Sequence, residues 1–478
     1  MANSGFIGNL IQEGNAIPVA MFAPQYKTPR SIQMNVGVQR ELRPGMVLTV
    51  DYLRNVSLHY LLGVDVNHAG DAAFLNKSAA MTAVKDTLTA CGAASISLAL
   101  VNCPGFADTA HPAGRPATIS DFATNGLDSP GDLNGGTCPG VTADGNLCAF
   151  GGQNPNVGPF PFLIPGGRGV YNAFDLKWVY NVSRPLPGVK YLNFQASYTY
   201  SRFNNAGGYS TTTPGSPAAS DQDFVISAMD NRNPLRYSGQ STLDRPHQLN
   251  FGGYANLPFG FRLGLIAHFW SALPATPTVP GASTGSIFQT DFTGDGTPQD
   301  PLPTRINSDG SFNTVHLGEF GRGMGVGGLN NTINNYNTTI AGQVLTPAGQ
   351  ALVACGAACG GFTQAQLIAL GATPPTILNT PANQVGISPV KAADLQFSWA
   401  GTFWHERLTL TPSVGIYNVF NFANFDQPGL VLNGLLNGVA GSINGTAPVD
   451  RTNRIGTGTG VFSLGAPRVI EWGLKLQF

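Results

Sequence analysis

An all-β fold, an antiparallel transmembrane β-barrel, is predicted by three features of this 478-residue chain. Apolar side chains recur at every second position in segments of about ten residues, the length a tilted strand needs to cross a bilayer. Those segments pair through short turns, and the pairs are separated by long connections rich in Gly, Pro, Asn and Thr. Charged residues make up only 11% of the chain, far below the ~25% of soluble domains. No apolar run approaches the ~20 residues of a membrane-spanning helix.

Four hairpins and a last strand carry the pattern, nine or ten meandering strands near 31–42, 46–60, 169–184, 189–203, 246–257, 260–273, 392–404, 407–420 and 467–478. In the first hairpin Ile32, Met34, Val36 and Val38 alternate with Gln33, Asn35, Gly37 and Gln39, before the turn Arg43-Pro44-Gly45. In the second, Val170, Phe174, Leu176, Trp178, Tyr180 and Val182 oppose Asp175, Lys177, Asn181 and Ser183; the return arm repeats the scheme from Leu192 to Tyr200. The third turns at "LPFG", between Leu249 to Ala255 and Phe261 to Phe269; the fourth turns at His405 to Arg407, between Leu395 to Phe403 and Leu408 to Ile416. Aromatics near arm ends (Tyr198, Tyr200, Trp404, Tyr417, Phe420) mark the expected interfacial girdle. The final stretch "APRVIEWGLKLQF" places Ile470, Trp472, Leu474, Leu476 and Phe478 on one face. An amphipathic last strand ending on an aromatic resembles the insertion signal of outer-membrane barrels. The barrel-assembly machinery and outer-membrane lipid are therefore its expected partners.

The connections span about 100, 40, 115 and 45 residues (63–168, 204–243, 274–390 and 421–466). Soluble sandwiches rarely hold structureless loops of that length, whereas transmembrane barrels alternate short periplasmic turns with long outer loops. Residues 1–30 read as an irregular lead-in and 31–478 as barrel. "KSAAMTAVKDTLTA", "TPAGQALVAC" and "TQAQLIALG" read as short helices on the loops, each too short to bury a core alone. Gly and Pro together form about a fifth of the chain. Six Cys fall in local pairs (Cys91 and Cys103, Cys138 and Cys148, Cys355 and Cys359). None has zinc spacing; the pairs suit disulfides in an oxidising compartment, with free thiols as the alternative. A net charge of −1 with no basic cluster speaks against nucleic acid.

Nine strands starting outside the cell, with short turns periplasmic, fit the C-terminal part of a larger barrel, since complete bacterial barrels have even strand numbers. The start "MANSGFIGNLIQEGNAIPVAMFAPQ" lacks a basic n-region and has a poor apolar core. Met1 is therefore expected not to be the natural start.

The ordered motifs "YKTPRSIQMNVGVQREL", "GRGVYNAFDLKW" with "LNFQASYTYS", "DRPHQLNFGGYANLPFGFRLG", "IFQTDFTGDGTPQDPLP", "VLTPAGQAL", "LTPSVGIYNVFNFANFD" and "GVFSLGAPRVIEWGLKLQF" together resemble the C-terminal barrel region of Oar-like TonB-dependent receptors. The resemblance runs from about Tyr26 to Phe478. It implies a 22-stranded outer-membrane transporter with an N-terminal plug and a TonB box, energised through TonB, that imports a large solute such as an oligosaccharide, siderophore or peptide. Plug, TonB box and signal peptide are not seen in this sequence, so the chain reads as a receptor fragment that contacts TonB only through a missing N-terminal region.

No catalytic, cofactor or metal residue is assigned. Asp291, Thr293 and Asp295 with Gly296 match the first half of a calcium loop, and Asp300 adds an oxygen, but position 12 is Leu302 where a bidentate Glu belongs. The other reading is an Asp/Gly turn that orders an outer loop. Asp244, Arg245 and His247 suggest an ion pair at a strand start, with no nucleophile beside them. Asp394 and Arg468 read as lumen or rim charges, and "GTGTG" near Gly460 as a flexible loop. Surface adhesion without transport is the alternative function; an outer-membrane hydrolase is disfavoured because no acid–base set emerges.

Overall fold

The computed structural model describes residues 21–68, 71–129, 148–154, 160–208, 225–278, 286–297, 300–379, 388–404, 407–424 and 467–478. Nine long strands form the wall: β1 (Arg30–Arg43), β2 (Met46–Asp65), β3 (Pro161–Ser183), β4 (Tyr191–Asn205), β5 (His247–Asn256), β6 (Phe261–Trp270), β7 (Val390–Trp399), β8 (Leu408–Tyr417) and β9 (Val469–Gln477). Each pairs antiparallel with its sequence neighbour, giving an uninterrupted meander; four short strands bring the sheet to thirteen. Among the described residues no pairing joins β9 to β1, so the sheet is open.

The turns explain the register. At the first, Gly45 takes φ 76°, and a Cβ there would lie 2.0 Å from the Asn181 carbonyl oxygen. Only glycine tolerates that approach. At the others Arg184 (φ 53°), Phe259 (φ 58°) and Trp404 (φ 53°) supply the left-handed residue. Once the turns are set, period-2 alternation carries every strand's apolar set to one face. Across the sheet one row reads Met46, Tyr180, Phe194, Gly253, Leu265, Leu395, Ile416 and Ile470. The opposite face carries Asp51, Asp175, Lys177, Gln195, Asn250, Arg262, Gln396, Thr411 and Lys475.

Aromatic contacts run along the apolar face from Trp178 to Phe194 (5.3 Å), Phe251 (6.4 Å) and Phe269 (6.1 Å), and from Phe261 to Phe397 (5.4 Å). Tyr198 and Tyr200 lie on that face, as a girdle requires. Tyr417 does not. It follows Ile416 in β8, so alternation turns it to the polar face, where its hydroxyl donates to Glu471 Oε2 at 3.1 Å.

β2 ends its regular alternation at His59 (φ 60°), with register shifts between Leu58 and Tyr60 and between Tyr60 and Leu62. These bulges bend the strand where the membrane wall gives way to the loop layer. Above them the first and third long connections fold against each other. Their longer helices are α1 (Lys77–Cys91), α2 (Ile119–Thr124), α3 (Val326–Thr339), α4 (Pro347–Cys355) and α5 (Gln364–Leu370). Ala80, Phe122, Phe150, Phe288, Leu352 and Leu367 are buried together, with Phe122 on Phe362 (5.4 Å) and Phe150 on Phe288 (5.7 Å). Each buried Phe contributes about 2–3 kcal/mol. Each helix was expected to be too short to bury a core alone; the two connections bury one together, because apolar surfaces from distant sequence cover each other.

α3 lies in "VGGLNNTINNYNTT", a stretch of Gly, Asn and Thr read as loop. Its helix rests on tertiary burial of Leu329, Ile333 and Tyr336, one stripe at i, i+4 and i+7. Disulfides join Cys91 to Cys103, closing α1 onto the next turn, and Cys355 to Cys359. Cys148 is also oxidised; its expected partner Cys138 lies outside the described residues, as do residues 1–20 and the "GTGTG" segment.

Candidate functional site

The polar face is the first candidate. Toward β9 it holds a cavity of about 630 Å³ lined by Tyr254, Arg262, Asp394, Gln396, Tyr417 and Lys475. The Arg262 guanidinium stacks over the Tyr254 ring, 3.7 Å from its centre. Asp394 Oδ1 accepts the Asn418 N–H at 2.7 Å, which anchors the carboxylate at the strand end. Beside it Asn250 Oδ1 accepts the Trp270 indole N–H at 2.8 Å and lies 2.7 Å from His268 Nδ1. Amides, charges of both signs and aromatic faces suit reversible contact with a polar solute. Asp394, expected as a lumen or rim charge, lies on this polar face. Arg468 sits at the foot of β9, its Nη1 donating to the Val419 carbonyl at 3.4 Å.

The second candidate is the buried acid cluster in the loop layer. Asp291, Asp295 and Asp300 are all fully buried. Asp291 accepts the backbone N–H groups of Asp295 (3.0 Å) and Gly296 (2.9 Å). Asp295 accepts the Thr297 N–H at 2.9 Å and the Thr293 hydroxyl. Asp300 accepts the Phe292 N–H at 2.9 Å, the Tyr237 hydroxyl at 2.9 Å and the Thr293 hydroxyl at 3.2 Å. Gly296 is required: φ is 81°, and a Cβ would fall 1.6 Å from the His68 carbonyl oxygen.

Burial pushes Asp291 up to about 6 against the pull of its backbone donors. It raises Asp295 well above its ordinary value, helped by the charges of Asp300, Asp291 and Asp230, and raises Asp300 likewise, helped by the charge of Asp291. Burial likewise raises the Tyr237 hydroxyl, with the Asp300 charge adding to it. Sequence reasoning brought the four oxygen-bearing residues together correctly in space. Each carboxylate oxygen accepts an N–H or O–H of the loop itself, the pattern of the turn that orders an outer loop, and Leu302, at position 12, is buried in the neighbouring apolar cluster. Among the described residues no group of three or more His, Cys, Asp or Glu side chains is arranged to hold a metal ion.

The expected local ion pair of Asp244, Arg245 and His247 is corrected. Asp244 is bound by Arg322 of the third long connection, whose guanidinium donates to both its carboxylate and its carbonyl. Asp244 Oδ1 also accepts the Phe203 N–H at 2.6 Å. Arg245 Nη1 donates to the Ser271 carbonyl, and His247 Nδ1 lies 2.7 Å from the Tyr198 hydroxyl. Asp244 and Arg245 lie in the turn before β5, which begins at His247, and each finds its partner on another segment, so local spacing misleads here. Arg322, 78 residues away, and Tyr237 carry no sequence signal that links them to these acids.

A membrane-spanning, antiparallel meander with one lipid-compatible face, one polar face and long connections at one end defines an outer-membrane barrel wall. The chain belongs to the outer membrane beta barrel domain family, whose model matches residues 5–455. This places it in the outer membrane. A search of curated proteins finds no match. Among solved structures it is similar to the outer membrane transporter YddB from Escherichia coli, at 9% identity and a TM-score of 0.37, over 95% of this chain and 33% of that one. The chain thus spans about a third of that transporter's length.

Proposed function

We propose that this chain is the later part of the barrel of a TonB-dependent receptor, Oar-like in type, that takes up a large solute such as an oligosaccharide, siderophore or peptide. The observation that carries the reading is the one-sided architecture. All long connections leave the same end of the meander, the two longest share a core there, and the polar face beneath offers a solute-sized cavity. The open edges of β1 and β9 are where further strands would complete the wall. TonB would engage through a region N-terminal to the barrel, and the barrel-assembly machinery through β9 and Phe478. No enzymatic activity is assigned to it.

The test is uptake of labelled oligosaccharide, ferric siderophore and peptide panels by cells expressing the gene with its upstream sequence. Energy-coupled import of one class, abolished by a protonophore, supports the proposal. Surface binding that a protonophore leaves intact, without import, supports instead an adhesive role for the connections, which their shared, disulfide-closed core also suits.

A further inference from the structure

We propose that the outer end of the lipid-facing surface is a docking site for the phosphates of a phosphorylated glycolipid of the outer leaflet. The strand registers place Met34, Arg54, Asn172 and Arg202 in one row across β1 to β4, all on the apolar face. Two rows farther out stand Arg30, Leu58 and Arg168. One row inward lie Val36, Tyr52, Phe174, Tyr200 and His247. The order from the membrane outward is thus aliphatic, then tyrosine-rich, then arginine-rich.

Charge on this face is one-sided. Up to the bulge at His59 the acids of the nine strands, Glu41, Asp51, Asp175, Asp394 and Glu471, all alternate to the polar face. None stands on the apolar face. Among the described residues none of the four arginines makes an ion pair. Arg54 Nη1 donates to Asn172 Oδ1 at 2.8 Å, an oxygen that also accepts the Tyr52 hydroxyl at 3.1 Å, and Arg202 Nε donates to the Tyr200 hydroxyl at 3.2 Å. Among the described residues the Arg54 and Arg202 guanidinium groups are thus each held by one N–H and keep the rest for an incoming acceptor. Beside them a cavity of about 700 Å³ is lined by Arg168, Arg202, Asn204, Gln240, His316 and Glu319. Its carboxylate, Glu319, is tied into its own turn by the His316 N–H at 2.7 Å.

The height fits a headgroup. Ten residues of tilted strand separate the row of Val182 and Leu192 from that of Asn172 and Arg202, a rise of about 25 Å and so close to the apolar band of a barrel. Arginine at the bilayer midplane is strongly disfavoured, but at the interface the penalty nearly vanishes. There the planar fork matches phosphate oxygens in paired hydrogen bonds.

The test uses the full chain refolded into phosphatidylcholine vesicles doped with diphosphoryl lipid A, then isolated in neutral detergent, with co-isolated lipid measured by mass spectrometry. The wild-type chain is expected to retain at least tenfold more lipid A than Arg54→Gln/Arg202→Gln, while Lys85→Gln, a cation on a loop helix, matches wild type. Should the double variant not fold, the exposed single changes Arg168→Gln and Arg202→Gln carry the same comparison, each with a several-fold loss. Equal retention by wild type and variants overturns the proposal. So does equal retention of phosphatidylglycerol, which would mean general attraction to anionic lipid, or displacement by millimolar inorganic phosphate, which would mean a free-anion site.

Discussion

Asp121 and Asp295 sit in the same loop layer and titrate in opposite senses. Burial by itself would push Asp121 up, but the bidentate Arg115 (2.6 and 2.8 Å) and the Thr118 donors more than reverse it. Its contribution is present above the ordinary carboxyl range and is lost as pH falls through its lowered native value. Asp291, Asp295 and Asp300 are raised, so the native state keeps protons that the unfolded chain has released. Their effect on stability is nil at low pH and becomes a growing penalty as pH climbs from about 4 through 6 and beyond. The melting midpoint of the loop layer, followed by near-ultraviolet circular dichroism, is expected to fall between pH 4 and 7. Asp295→Asn should flatten that fall, and an unchanged slope in this variant refutes the assignment. At the clamp, Arg322→Ala strips the buried Asp244 of its cation and is expected to destabilise the loop layer by about 3 kcal/mol, measured by denaturant titration. Of these residues the aspartates stood out in sequence, because Asp and Gly at fixed offsets make a recognisable turn. Arg322 did not, since nothing local marks a partner so far along the chain.

Strands and helices differ in how openly the sequence declares them. A strand in a lipid-facing wall must alternate, and the alternation of β3 or β9 is visible without any neighbour. A loop helix such as α3 shows almost nothing, for its residues are weak helix formers that settle only when Leu329, Ile333 and Tyr336 find cover. The faces can be tested element by element. Leu176→Arg, on the apolar face of β3, is expected to cost about 2–4 kcal/mol near the membrane midplane. Its neighbour Lys177→Gln, on the polar face, should stay within about 0.5 kcal/mol. Urea unfolding in lipid vesicles compares the two; equal costs would mean that the two faces are misassigned.

The whole molecule is a wall with a folded cap on one end. The two layers hold together by different means: the wall by its backbone ladder and lipid, the cap by an apolar core and disulfides. Reduction of Cys91–Cys103, which closes a 12-residue separation, should remove about 2–3 kcal/mol from the cap and leave the strands intact. Limited proteolysis after reduction is expected to cut within the connections, with no loss of strand signal by far-ultraviolet circular dichroism. Simultaneous loss of both signals would show one cooperative unit instead.

By itself the sequence determined that this protein is an outer-membrane antiparallel barrel wall, because lipid on one side and water on the other force a period of two that survives any arrangement of loops. Only the tertiary structure decided that the two longest connections share one core, that Asp244 answers to Arg322, that three aspartates are buried with their oxygens already engaged, and that arginines from β1 to β4 line up above the tyrosines. Each of these depends on residues far apart in the chain meeting across strands or between connections, and distance in space is the one quantity that local periodicity does not encode.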